Sequence, residues 1–528
     1  MIQSYKKQYN INEPFDSIVI GSGMGGLTTA ALLAKSGQRV LVLEKHYTAG
    51  GFTHVFKRKG YEWDVGIHYI GSVDNDKSAL KKIFDYVSDN KVKWADMGEV
   101  YDRIVIGEKI YNFVKGTKNF KAKLKLYFPE DKEAIDAYVD LIFKVSGLSK
   151  NFFVEKALPP VVSFVAGSFL RKPFLKYASQ TTQAVLSKLT NNNELIKVLT
   201  AQFGDYGLPP EQSSFAMHAI LVRHYLSGGF FPVGGSSVIA DSIAGVLHKH
   251  GGAVLVSADV EEVVVENNKA IGVKMSDGKV FYAKNIISNA GIVNSYKKLL
   301  PEETYRKQKL EKQLSKINPS VAHACLYIGL NGSPEELNLP KANYWIYPEQ
   351  LSHDENVRKY LKDINEDFPV VYISFPSAKD PDWSNRYPGK STIDIITLLP
   401  YEIFQKWEDT KWMKRGEEYE KLKESLSIRL LEELYKREPA LRGKVDYYEL
   451  STPLTTKHFV NYDKGEIYGI DHSPARFQQK FLKPRTPVKN FYLSGQDIVS
   501  CGVGGAAFSG VLTAGVILNK NVLKEVMK

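Results

Sequence analysis

Cys325 and Cys501 are the only cysteines in 528 residues. With no CxxC pair and no larger set, a disulfide framework, a zinc knuckle and a dithiol redox centre are excluded, and no metal site is expected. No apolar stretch approaches the roughly 20 residues that a membrane-spanning helix requires. The polar run Met1–Pro14 has no apolar h-region, so no secretory signal is expected. Internal repeats and low-complexity tracts are also missing. The net charge is +11, yet the lysines are spread along the whole chain and no nucleic-acid motif accompanies them. Nucleic acid is therefore not an expected partner, and a membrane surface is. Residence in the cytosol, with peripheral association at the cytosolic face of a membrane, is the expectation that follows.

Hydrophobic residues make up 43% of the chain and charged residues 24%, a globular rather than a disordered balance. A chain of this length exceeds one hydrophobic core and suits two or three. Its 30 Tyr and 26 Phe suit a long apolar channel as well as ordinary packing.

Ser17-Ile18-Val19-Ile20 is an apolar run that leads into Gly21-Ser22-Gly23-Met24-Gly25-Gly26. An Ala- and Leu-rich helix is predicted over Leu27–Lys35, and a second apolar run, Arg39–Leu43, ends in Glu44. Strand, turn, helix and strand within thirty residues predict a βαβ unit. Residues 76–215 read as long helical stretches with Lys-Phe clusters. Within them, the apolar segment 157–170 has basic flanks (Lys156, Arg171, Lys172) and admits two readings: a shallow dip into one leaflet or a buried core helix. From Gly228 the α/β texture returns. Residues 302–450 read as a separate α+β region, and the strand Phe491–Leu493 runs into a glycine cluster ending at Gly510. The predicted division is 1–75, 216–301 and 456–528 for one nucleotide-binding domain, 76–215 for a helical region and 302–455 for an α+β region.

In the first turn, Gly21 permits the bend after the strand, Gly23 allows backbone to approach a pyrophosphate, and Gly26 lets helix pack on strand. Met24 and Gly25 begin the helix, whose free N–H groups and positive dipole end face the phosphates. Glu44, 23 residues after Gly21, is placed to accept hydrogen bonds from ribose hydroxyls. Gly50-Gly51 allows close passage along the cofactor. The C-terminal turn, with Gly495, Gly504 and Gly505, would aim a helix dipole at a flavin's pyrimidine edge. A turn at each end of the chain predicts an extended FAD, and no second complete fingerprint suggests a dedicated NAD(P)H domain.

The segments Leu43-Glu44-Lys45-His46, Gly50–His54 and Trp63–Gly71, with Gly229–Ser236, Thr452–Thr455, Tyr468–His472 and Leu493–Ile498, resemble the retinol saturase (all-trans-retinol 13,14-reductase-like) group. That group is a branch of the phytoene desaturase and carotenoid isomerase superfamily. The resemblance covers the N-terminal, central and C-terminal blocks, and little of 76–215 or 302–440. It implies an α/β fold: a glutathione-reductase-like, FAD-binding Rossmann domain built from discontinuous segments, with an inserted α+β substrate domain and a helical membrane-associating region. It also implies a polyene or isoprenoid lipid substrate, flavin-mediated C=C chemistry and a separate electron donor. By the same resemblance Lys45 joins the cofactor contacts, Val260 meets the adenine, and Asp497 lies near the ribityl or pyrophosphate portion. His68, Tyr69 and His472 are the candidates for proton transfer, since histidine titrates near neutrality.

Besides a saturase, a carotenoid desaturase or cis-trans isomerase would use the same fold. A non-enzymatic isoprenoid-lipid carrier of the GDP-dissociation-inhibitor type is the third possibility, and the intact fingerprint, Glu44 and the C-terminal glycines argue against it.

Overall fold

A computed structural model describes residues 2–7 and 14–528 of the chain. Residues 1 and 8–13 of the polar N-terminal run read above for a signal segment lie outside the described residues. The strand Phe15–Ile20 is covered on both faces, which is why its sequence is continuously apolar instead of alternating. It pairs in parallel with Val40–Leu43 on one side and Val280–Ser288 on the other. The full sheet runs Ile2–Ser4, Ala253–Val256, Val40–Leu43, Phe15–Ile20, Val280–Ser288, Lys269–Met275, Val260–Glu266. Val280–Ser288 changes neighbour along its length. Its first half pairs antiparallel with Lys269–Met275, and its last three residues pair in parallel with Phe491–Leu493. Strands from three distant parts of the chain thus share one sheet.

The helix Met24–Lys35 is buried from Met24 to Ala34 and packs between the helices Ser237–Lys249 and Gly502–Leu518. Small residues make that packing possible: a Cβ on Gly510 would lie 2.6 Å from Thr28 Cβ. The closing helix begins at Gly502, with Cys501 as its N-cap.

A second sheet has the order Val445–Ser451, His323–Asn331, Lys390–Leu398, Val371–Ser374, Asn343–Tyr347, Val100–Ile106, Lys109–Val114. The last two strands correct the reading of 76–215 as helical. Val100–Ile106 is buried at five of seven positions, so it shows no polar alternation, and a short apolar run cannot be told from a buried helix by periodicity. The rest of that region is helical: Lys132–Glu155, Pro160–Ala178 and Phe215–Tyr225 pack together against the second sheet.

Pro160–Ala178 bears on the two readings of 157–170 through its burial pattern. Its buried stripe is Gly167, Arg171, Phe174 and Ala178. On the other side Val161, Phe164, Val165 and Phe169 are 76, 90, 78 and 82% exposed. The buried-core reading therefore fails for this face. Among the described residues no helix is long and apolar enough to cross a membrane.

Candidate functional site

Gly21 has φ +95°, a conformation open to glycine at little cost, and it turns the strand into the helix capped by Gly23. A Cβ on Gly26 would collide with the Gly21 carbonyl oxygen, so helix and strand meet there backbone to backbone. Glu44 closes the turn from below. Its Oε2 accepts from Ser22 N and Ser22 Oγ, both at 2.7 Å, and its Oε1 accepts from His46 N at 2.8 Å. Ser22 Oγ in turn accepts from Gly50 N at 3.0 Å, so the Gly50-Gly51 pair hangs on the same carboxylate. Lys45 lies at the rim, paired with Asp259 at 3.1 Å next to Val260.

The C-terminal turn meets the N-terminal one directly. A Cβ on Gly25 would lie 2.6 Å from Gly495 Cα, and Gly51 approaches Gly23 to a comparable distance. Asn289, at the end of Val280–Ser288, sits between the turns, and its buried Oδ1 has no partner among the described residues. Asp497 joins the segments: its Oδ2 accepts from Ile292 N at 2.7 Å and its Oδ1 from Ile470 N at 3.1 Å. Glycine clefts that no Cβ could share, free helix N-terminal N–H groups at Met24 and an unpaired buried amide oxygen suit a long phosphate-bearing dinucleotide.

These residues open on a cavity of about 1410 Å³, larger than the roughly 300–1,000 Å³ that one small ligand occupies. There is room for a dinucleotide and a second ligand. Beyond the glycine turns the cavity continues into a chamber lined by Tyr225, Trp345, Tyr372, Tyr468, Met217 and Ile220. It also reaches the helix Lys132–Glu155 at Phe143, Gly147 and Val154, beside the exposed apolar face.

Of the predicted cofactor contacts, Gly21, Gly23, Met24, Gly25, Glu44, Lys45, Gly50, Gly51, Val260, Gly495, Asp497, Gly504 and Gly505 all line this one cavity, while Gly26 packs behind it. His68 and Tyr69 line it as well. His472 does not. Its Nε2 accepts from Cys501 N at 3.0 Å and its carbonyl accepts from Ser214 N, so it fastens the N-cap of the closing helix. The central glycine motif is likewise structural: Ser236 N donates to Asp64 Oδ1 at 2.6 Å and Gly234 N to Asp380 Oδ1 at 3.0 Å.

A buried charge cluster forms the floor beneath His68 and Tyr69, and the sequence reading missed it. Lys379 Nζ donates to His68 O at 2.9 Å, to Ser374 Oγ at 2.7 Å and to Asn343 Oδ1. Burial lowers its ammonium to about 7, opposed by Asp102, Asp394 and Asp64. His68 Nδ1 lies 3.4 Å from Asp394 Oδ2. Burial pushes that ring down to about 3 and the Asp394 carboxyl well up, with Lys379 opposing the latter shift. Asp102, Asp205, Lys379 and Asp394 stand far apart in the sequence and carry no motif. The Asn289-Ala290-Gly291 end of an apolar strand was the one local signal available for a further cavity residue.

The family described as flavin containing amine oxidoreductase matches residues 24–518. The chain is 39% identical to an all-trans-retinol 13,14-reductase of Danio rerio, over 98% of this chain and 88% of that one. A second Danio rerio relative, named an inactive all-trans-retinol 13,14-reductase, is 35% identical over the same shares. The chloroplastic prolycopene isomerase of Arabidopsis thaliana is 28% identical over 95% of this chain and 82% of its own length. Among solved structures, an oxidoreductase from Methanosarcina mazei superposes with a TM-score of 0.62 at 18% identity, covering 96% of this chain and all of that one, which shows a shared fold. With the FAD-type cradle and these matches together, the chain belongs to the flavin-containing amine oxidoreductase family, on its all-trans-retinol 13,14-reductase side, as an FAD-dependent oxidoreductase.

Proposed function

We propose that this protein reduces a C=C bond of a polyene or isoprenoid lipid of the retinoid type, with electrons brought by a separate donor. The observation that carries the reading is continuity: the glycine cradle and an aromatic chamber belong to one cavity, so a flat conjugated chain can lie against the cofactor site. The higher identity to a retinol reductase than to a prolycopene isomerase supports reduction over isomerisation.

In this reading the Met24 helix start holds the pyrophosphate, Glu44 the ribose, and Val260 with Lys45 the adenine end. The Gly502–Leu518 helix start, with Gly504, Gly505, Gly495 and Asp497, faces the flavin. When bound and reduced, FAD supplies a hydride for one carbon of the double bond. Aromatic walls exclude water and align the chain, and the floor beneath His68 and Tyr69 supplies the polar groups. The exposed face of Pro160–Ala178 rests on a membrane surface on the cytosolic side, where such a lipid is dissolved, and the cavity reaches the neighbouring helix there.

Anaerobic incubation of the dithionite-reduced protein with all-trans-retinol and with carotenoids tests the reading. A product two hydrogens heavier supports it. Unchanged mass with altered double-bond geometry would make the protein an isomerase, and loss of hydrogens a desaturase. A colourless preparation that releases no flavin on denaturation would leave only lipid carriage.

A further inference from the structure

The Tyr69 hydroxyl is shared by two carboxyl groups: it lies 3.0 Å from Asp102 Oδ2 and 3.2 Å from Asp205 Oδ2. A phenol has one proton to give, so only one of those contacts can be donated by Tyr69. Asp102 is the furnished partner. Its Oδ1 accepts from Asn343 Nδ2 and its Oδ2 from Gln202 Nε2, each at 2.8 Å, and Lys379 reaches it through Asn343. That surrounding favours the carboxylate on Asp102. With the Tyr69 proton turned to Asp102, the Asp205–Tyr69 contact requires a proton on Asp205, donated to the Tyr69 oxygen.

Asp205 also stands where a proton would be useful. Asp205 lines the cavity, with its carboxyl on Tyr69 and its backbone on Cys501 at the start of the closing helix. Its backbone oxygen accepts from Cys501 Sγ at 3.4 Å, and Cys501 caps the closing helix. Asp102 is completely buried and does not line the cavity.

We propose that Asp205 is the acid that protonates the second carbon of the double bond, with Tyr69 and Asp102 as positioning residues that keep its proton in place. The inference rests on the reductase reading above. In the step, the π bond breaks and one carbon forms a C–H bond with hydride from reduced FAD. The other forms a C–H bond with the Asp205 proton. FAD is left oxidised for re-reduction by the separate donor, and Asp205 is left as a carboxylate that regains a proton from water. Burial and the neighbouring Asp102 charge hold the Asp205 carboxyl well above the usual carboxylate range, which agrees with the proton count. The titratable groups facing it are Asp102, Tyr69, Tyr206, Tyr225, Tyr347, Tyr372, Tyr468 and Cys501.

Asp205→Asn keeps the shape and the donor to Tyr69 but has no acidic proton. Reduction of all-trans-retinol by the dithionite-reduced variant is expected to fall at least about 100-fold, the lower range for removal of a general acid. Flavin content and quenching of tryptophan fluorescence by all-trans-retinol are expected to stay within twofold of the parent. Difference infrared spectroscopy supplies a readout that needs no turnover: the parent is expected to show a protonated-carboxyl C=O band at neutral pH that Asp205→Asn lacks. In Asp102→Asn, loss of the neighbouring charge lets Asp205 ionise more readily, so the alkaline limb of the kcat/KM profile moves to lower pH. Reduction within threefold of the parent in Asp205→Asn, or an unchanged infrared band, overturns the proposal. If the parent itself reduces no polyene, the reductase reading fails, and the infrared band still decides where the proton sits.

Discussion

Gly25 and Gly495, 470 positions apart in the sequence, stand so close that a Cβ on Gly25 would lie 2.6 Å from Gly495 Cα and as near to its amide nitrogen. The N-terminal and C-terminal turns thus form one trough, and neither half is complete alone. Gly25→Ala would press on the Gly495 backbone and on Asn289 Oδ1, which would lie 2.7 Å from the new Cβ. Overpacking of this kind costs about 1–3 kcal/mol, and the turns would have to separate. Flavin content of the purified variant, read from its visible absorbance, is expected to fall at least about fivefold by the same magnitude. Full flavin content would show that the turns move apart freely.

Glu44 holds three donors: Ser22 N, Ser22 Oγ and His46 N. Glu44→Ala leaves them unpaired and removes the ribose acceptor. Loss of a hydrogen bond to a charged group costs about 1.5–3 kcal/mol, roughly a 10- to 150-fold weakening. Titration of the apoprotein with FAD, followed by flavin fluorescence, should show that loss.

Val161, Phe164 and Phe169 are exposed to solvent along one face of their helix, so Ser at all three leaves the core untouched. The triple variant is expected to keep the parental Tm within about 2 °C, as surface changes generally do, and to lose co-sedimentation with anionic lipid vesicles. Undiminished vesicle binding would remove the role given to this helix.

Several histidines are buried without charge. Burial lowers His68 and His218 to about 3 and His224, His323 and His353 to about 4. Each folded value lies below the unfolded one near 6.5, so the unfolded chain takes up protons that the folded chain refuses. The associated stability is present above about pH 6.5 and is lost as pH falls from there toward 3 to 4, at about 1.36 kcal/mol per pH unit for each histidine. Thermal unfolding between pH 8 and 5 is expected to show a flat upper range and a steep fall in Tm below about pH 6.5. A Tm that holds level down to pH 5 would mean that these rings protonate without cost.

The nucleotide half was legible because its chemistry is local. Gly21, Gly23 and Gly26 serve a turn whose strand, helix and acid lie within thirty residues, and periodicity with spacing reports all of them. The second sheet was only partly legible. Thr392–Leu399 reads as a strand candidate and overlaps the strand Lys390–Leu398, but Val100–Ile106 joins Asn343–Tyr347 across more than 230 residues, and no local pattern announces such a partner. His472 was offered for proton transfer from the Tyr468–His472 motif near the C-terminal turn, whereas the fold uses its Nε2 to accept from the Cys501 amide.

By itself, then, the chain's residue order determined the βαβ unit, its phosphate turn, the FAD-type acid at Glu44 and the family to which these belong, since each depends on neighbours a few positions away. Only the tertiary structure decided the rest. It brought Gly25 against Gly495, turned an apolar helix face outward and set Tyr69 between Asp102 and Asp205. Those outcomes depend on which distant segments share a sheet and a solvent-free space, which no stretch of neighbouring residues reports.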